Sequence, residues 1–200
     1  MTDYYSLIHG ILSNKGETYL ERYPEAEIRN NFKISALAWS SAKEIFWDSI
    51  NKKDMQVESL RLSMFRGRAI HEYIQRRLKK DKFIDEYSLR YQTDDYIPNE
   101  KGYALIGHVD AVNFQNRVIL EFKTTNSEKG ERWKQWTVQA GGYSHLLYLE
   151  TGFKFKAIIF CINEALNNLT QKELTIDDVT NSWKVILDRA DESYKRKFLN

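Results

Sequence analysis

A chain of 200 residues, 42% of them hydrophobic and carrying a net charge of +2, has enough apolar material for one substantial core, and disorder by composition is excluded. Charge so close to neutral excludes a bulk attraction to polyanions, so any such attraction must come from local clusters. The single cysteine, Cys161, excludes an internal disulfide and a four-cysteine zinc or iron–sulfur centre, and no stretch reaches the roughly 18 apolar residues of a membrane span.

Residues 1–34 read as an irregular or helical N-terminal arm, and residues 35–200 as one domain. Asp3 and the lack of a basic region followed by an apolar one argue against a signal peptide, so a soluble cytoplasmic protein is expected. Ser35 is placed to cap a helix from Ala36 to about Asn51, and a longer helix follows from Val57 to Lys80. Glu86–Gln92 alternates loosely. Tyr103–Asn113 and Arg117–Lys123 read as antiparallel strands joined at Phe114–Gln115–Asn116. Helical spacing returns from Glu131 to Glu150, with Gly152 suited to its C-terminal side. Phe155–Ile162 reads as a buried strand that includes Cys161, and Leu169–Ile176 as a further strand. A last helix starts at Asp177 or Asp178 and runs to about Phe198. This order predicts an α/β fold, with a central mixed β-sheet flanked by α-helices.

Three residues on the paired strands carry chemistry. The period of two puts Glu121 and Lys123 on one face of their strand, with Leu120 and Phe122 on the other. The preceding strand reaches Asp110 in Gly107–His108–Val109–Asp110, and pairing through the short turn brings Asp110 toward Glu121. Two carboxylates suit a hard divalent cation, which activates a bound water and offsets charge growing on a phosphate. A neighbouring lysine can orient the attacking hydroxide. Taken alone, Glu-x-Lys on a strand is most often a plain solvated face.

Two further patterns stand beside it. Gln139–Ala140–Gly141–Gly142–Tyr143 places Gln139 and Tyr143 one above the other on a helix, with Trp136 and Leu147 extending the stripe. Two mid-helix glycines cost roughly 1 kcal/mol each relative to alanine. They call for a close approach of another backbone or of a substrate, or for a helix packed tightly on the sheet. Leu60, Met64, Gly67, His71, Ile74 and Leu78 form one helical face, so His71 points inward, where a lone histidine is more often a core residue than a ligand.

Together these motifs resemble the PD-(D/E)XK nuclease superfamily, and most closely its RecB-like exonuclease branch. The resemblance spans about Gly67 to Tyr143. It implies a restriction-endonuclease-like core and a Mg2+- or Mn2+-dependent deoxyribonuclease. It also implies that His71, Asp110, Glu121 and the Phe122 carbonyl hold metal. Lys123 would then serve as the catalytic lysine, with Gln139 and Tyr143 organising it and the substrate phosphate. Many members of that branch carry an iron–sulfur cluster, whose cysteines are missing here, so no cluster is expected and packing must hold the ends together. A structure-specific endonuclease resembling a junction resolvase, and a catalytically silent DNA-binding module, share the same fold. DNA is the expected partner, and the sequence leaves open a homo-oligomer or recombination and replication proteins.

The basic run Arg61, Arg66, Arg68, Arg76, Arg77, Lys79, Lys80 and Lys82 is either a solvated helix face or the wall of a phosphate channel. Trp133, Trp136 and Tyr143 are either core or surfaces on which bases stack. Glu86 is an accessory candidate, Asp94 and Asp95 read as turn residues, and His9, His108 and His145 have no evident partner.

Overall fold

A computed structural model describes residues 31–45, 58–93, 102–125, 132–163 and 168–198, with the side chains at 31, 58–65 and 197–198 outside the description. In chain order the elements are β1 (Asn31–Lys33), α1 (Ile34–Trp39), α2 (Glu58–Leu78), β2 (Ile84–Gln92), β3 (Ala104–Asn113), β4 (Val118–Thr125), α3 (Trp133–Thr151), β5 (Lys156–Asn163), β6 (Asn168–Glu173) and α4 (Ile176–Phe198). The turns expected at Asp94 and Asp95, the end of the first helix near Asn51, and His9 lie outside the described residues.

The six strands form one mixed sheet, as the element order predicts. β3 is its axis. β2 runs antiparallel along one edge of β3, from Ile84 opposite Val112 to Gln92 opposite Ala104. The other edge is shared: β1 lies parallel beside Ala104–Ile106, and β4 lies antiparallel beside Ala111–Asn113. Between them, no strand among the described residues pairs with Gly107 to Asp110 on that edge. β5 continues parallel to β4 and β6 antiparallel to β5, with α3 as the crossover that a parallel pair requires.

Helices cover both faces. On one, α3 and α4 bury Trp136, Leu147 and Ile186 against Leu105, Val109, Ile119 and Ile159. On the other, α2 lays Ile74 and Leu78 over Ala111, Leu120 and Phe122. Cys161 is fully buried in the first core.

Local capping explains where the sequence reading and the structure part. The first helix begins at Ile34 after Lys33, which offers no side-chain cap, and it stops at an extended Ser40. The expected cap, Ser35, lies inside it. The chain then restarts at Ser41. Its hydroxyl accepts the Glu44 N–H at 3.3 Å and the Glu44 carboxylate accepts the Ser41 N–H at 2.8 Å, a reciprocal capping box. Thr175 and Asp178 make the same exchange ahead of α4, so Asp178 sits in the first turn as the capping partner. α1 and α4 are tied together through Arg189, whose guanidinium donates to the carbonyls of Leu37 and Ala38 at the end of α1.

Candidate functional site

Along β4 the side chains alternate as the period of two requires. Leu120 and Phe122 enter the core under α2, which leaves Glu121 and Lys123 facing α3. Asp110 stands opposite Glu121 one step beyond the last paired residues, Ala111 and Leu120. From there the strands separate, and side chains replace the missing ladder. The Asp110 N–H donates to Glu121 Oε1 at 3.3 Å, and the Phe122 N–H donates to Asp110 Oδ2 at 2.7 Å. Each carboxylate thus satisfies a backbone donor that the divergence of the strands would otherwise orphan. In an extended strand a residue's N–H and C=O point to the same edge, so the Phe122 carbonyl is directed into the same gap.

A second irregularity sits on the far side of Asp110. Glu86, its register partner on β2, adopts φ 51° and is skipped by the ladder, whose pairs resume unshifted on both sides. Positive φ is uncommon for a residue with a side chain. It coincides with a reversal of faces in both strands: Leu105 and Val109 belong to the α3 core but Ala111 to the α2 core, while Tyr87 and Leu89 belong to the first and Phe83 to the second. Asp110 lies at the crossing. Its Oδ1 is 3.7 Å from His71 Nδ1 on α2, and its Oδ2 holds the β4 backbone.

From α3, Gln139 reaches into the site. Its Oε1 accepts from Lys123 Nζ at 3.2 Å, and its Nε2 donates to Tyr143 Oη at 3.0 Å and to Glu121 Oε2 at 3.5 Å. Lys123 Nζ also donates to Glu121 Oε2 at 3.0 Å. The Tyr143 ring fills the unpaired stretch of β3. A Cβ on Gly107 would lie 2.9 Å from Tyr143 Cδ1 and closer still to Cε1, so this position admits only glycine while the ring stays in place. The paired glycines of α3 serve a different end. Gly141 faces Ser182 and Gly142 faces Ile186 and Ile34, so they admit α4 and α1 rather than a substrate.

Burial dominates the electrostatics. Burial and then the Asp110 charge push Glu121 up to about 7, against the pull of Lys123. Burial also raises Asp110, but His71, Lys123 and the Phe122 N–H outweigh it and hold its carboxyl below the usual value. Burial would lower Lys123, yet Glu121 and Asp110 together raise it, so the ammonium is kept charged. Burial and the Glu121 charge raise Tyr143 well above an ordinary phenol, so its proton stays. The Glu121 side chain is 1% exposed, against 15% for Asp110 and Lys123 and 23% for His71, so the site opens on the His71 side.

The donors here are two carboxylates, one free backbone edge and one imidazole, a set that suits a magnesium- or manganese-like cation. Mutual repulsion between the buried carboxylates is what such an ion would relieve, and Lys123 stands as the compensating charge beside Glu121. Among the described residues, no three His, Cys, Asp or Glu side chains enclose a metal position as they stand.

Other sequence candidates fall elsewhere. Trp136 and Tyr143 are 5% and 3% exposed, so neither offers a face to a base, and Trp133 packs edge-on to Trp136. Arg68 and Arg76 flank Glu72 on the exposed side of α2, and Lys79 pairs with Asp85. The described part of the basic run therefore lies largely outward, while His71 points inward. His108 pairs with Ser88 at 3.0 Å and His145 stacks on Trp183 at 4.4 Å. Sequence reasoning missed Gln75, buried on α2, whose amide donates to the Asp110 carbonyl at 2.8 Å and to Glu86 Oε1 at 3.2 Å. Its signal was spacing, one helical turn beyond His71.

Comparison with solved structures places the fold. The chain matches SSO0001 with a TM-score of 0.62 at 18% identity, over 92% of this chain and 82% of that one. A candidate exonuclease from Eubacterium rectale matches at 0.60 with 10% identity, over 88% and 85%. A phage-related exonuclease from Haemophilus somnus 129PT matches at 0.51 with 12% identity, over 96% and 93%. No family model and no curated protein matches the sequence. At these identities the likeness is one of fold: a mixed six-stranded sheet flanked by helices. No described helix is long and apolar enough to cross a membrane.

Proposed function

We propose that the protein is a Mg2+- or Mn2+-dependent nuclease that hydrolyses DNA phosphodiesters, of the RecB-like exonuclease kind within the PD-(D/E)XK superfamily. One observation carries the reading: Asp110 and Glu121 meet at the divergence of β3 and β4, with Lys123 bonded to both Glu121 and Gln139. The exonuclease descriptions of two structures that share the fold support it.

In this reading His71, Asp110, Glu121 and the Phe122 carbonyl hold the cation. When bound, it supplies an activated water and offsets charge on the phosphate. Lys123 orients that water and faces the charge that develops in the transition state. Gln139 fixes the ammonium by accepting a hydrogen bond from it, and Tyr143, a phenol that keeps its proton, fixes Gln139. The protein's part is positioning and electrostatics, with no covalent nucleophile.

The test is incubation with Mn2+ and end-labelled single-stranded, end-labelled duplex and closed circular DNA. Loss of the linear substrates with the circle intact is expected. Cleavage of the circle would replace the exonuclease by an endonuclease, and no cleavage of any substrate would refute the enzyme.

A further inference from the structure

We infer that Gln75 is a positioning residue for Asp110, acting through the strand junction at Glu86. The inference rests on the proposed metal site. Side chains hold both backbone groups of Asp110, at a position that the β2 ladder skips and β4 does not pair. Its N–H is held by Glu121 Oε1, and its C=O by the Gln75 amide at 2.8 Å. The second proton of the same amide goes to Glu86 Oε1 at 3.2 Å. Gln75 is 4% exposed, and a buried amide bound at two points has one orientation.

The geometry couples the amide to the carboxylate. His71 and Gln75 are one turn apart on α2 and lie on the same face. His71 addresses the Asp110 carboxylate and Gln75 its carbonyl, so α2 grips a single residue at both ends. Glu86 completes the clamp. Its φ of 51° lets β2 skip Asp110 without a shift in register, which frees the Asp110 carbonyl for Gln75. Without the amide, that carbonyl is buried and unpaired, or Asp110 rotates to recover a ladder bond and takes its carboxylate with it.

The experiment compares Mn2+ affinity by calorimetry with the melting temperature of the metal-free protein. Gln75→Leu keeps the volume and removes both donors. It is expected to weaken Mn2+ binding by about tenfold, the scale of outer-shell effects on metal sites. Ile74→Ala, which thins the packing of the same helix, is expected to lower the metal-free melting temperature and leave Mn2+ affinity unchanged. Glu86 is exposed, so Glu86→Ala keeps the fold even if Gln75→Leu does not. It is expected to weaken binding about threefold by the same route, with Glu86→Gln, which retains an acceptor, restoring it. Wild-type affinity in Gln75→Leu or in Glu86→Ala overturns the inference, as does a loss in Ile74→Ala equal to that in Gln75→Leu. A wild-type protein that binds no Mn2+ overturns the metal site itself, and the inference with it.

Discussion

Glu121→Gln separates the requirements of the fold from those of the chemistry. Burial and the Asp110 charge raise Glu121 from 4.5 to about 7 in the folded chain. Across that interval the fold holds a proton that the unfolded chain has released. The group's contribution to stability is therefore complete below pH 4.5 and is lost as pH rises through about 7. Glutamine never ionises, so it escapes the loss. By pH 8 the difference amounts to about 3 kcal/mol in favour of the variant, and it vanishes near pH 4.5. For a chain of this length that corresponds to roughly 10 °C in melting temperature. The attraction of Lys123 is already contained in this figure, because Lys123 is among the causes that set the Glu121 value. The assay is thermal melting of both proteins in chelator from pH 4.5 to pH 8, repeated with Mn2+. The variant is expected to melt higher at alkaline pH, to converge with wild type in acid, and to lack both the Mn2+-dependent rise and cleavage. A variant that melts at or below wild type at pH 8 refutes the account of Glu121 as a carboxylate strained by its neighbours.

Other perturbations probe the remaining parts. Asp110→Asn is expected to remove detectable cleavage and Mn2+ binding while circular dichroism shows the fold retained; a wild-type rate excludes Asp110 from the site. Lys123→Ala is expected to keep Mn2+ and DNA binding and to lose the chemical step, read as single-turnover rate against binding constant, by a factor on the order of 10² or more. His71→Ala is expected to weaken Mn2+ affinity more than stability; the reverse order in calorimetry and melting returns His71 to a packing role. Gly107→Ala forces the Tyr143 ring off Gln139 and is expected to slow cleavage, whereas Gly142→Ala meets Ile186 and Ile34 and is expected to cost about 1–3 kcal/mol of stability with the Mn2+ affinity intact.

Much of this was legible in the sequence, for physical reasons that can be named. The alternation of Leu120, Glu121, Phe122 and Lys123 is the pleat of β4 written out, and it placed Glu121 and Lys123 together on one face. The spacing of Gln139 and Tyr143 is one helical turn, and the structure joins them by a hydrogen bond. Short elements were not legible. Asn31–Lys33 is three residues long, too short for any periodicity, and joins the sheet only because β4 leaves half an edge of β3 vacant. The break at Ser40 was written in Ser41-x-x-Glu44, but a capping box inside a helical stretch competes with the periodicity around it. Gly141 and Gly142 announced a close approach without saying of what, since α4 arrives from far along the chain.

The least legible feature is the one on which the site depends. A strand read by its period of two assigns Val109 and Ala111 to the same face. Here they occupy opposite cores, because Glu86 and Asp110 turn both strands over at a single paired position without moving the register. The composition of Tyr103–Asn113 does not mark that reversal, since apolar residues fall in both phases: Leu105, Val109 and Ala111 in one, Ala104, Ile106 and Val112 in the other. Yet an unbroken alternation would have carried Asp110 with His108 toward α2 and away from Glu121. The reversal lets one residue meet His71 on α2 with one carboxylate oxygen and the backbone of the neighbouring strand β4 with the other. Positive φ at a glutamate costs on the order of 1 kcal/mol or more, and such strain persists only where surrounding contacts enforce it. Those contacts are Gln75 on the Glu86 carboxylate and the Asp110 carbonyl, and Glu121 on the Asp110 N–H. The same carboxylates that repel one another therefore also hold the strand in the conformation that brings them together. This is how the site holds together with no ion present, and why the proposed cation would add stability on binding.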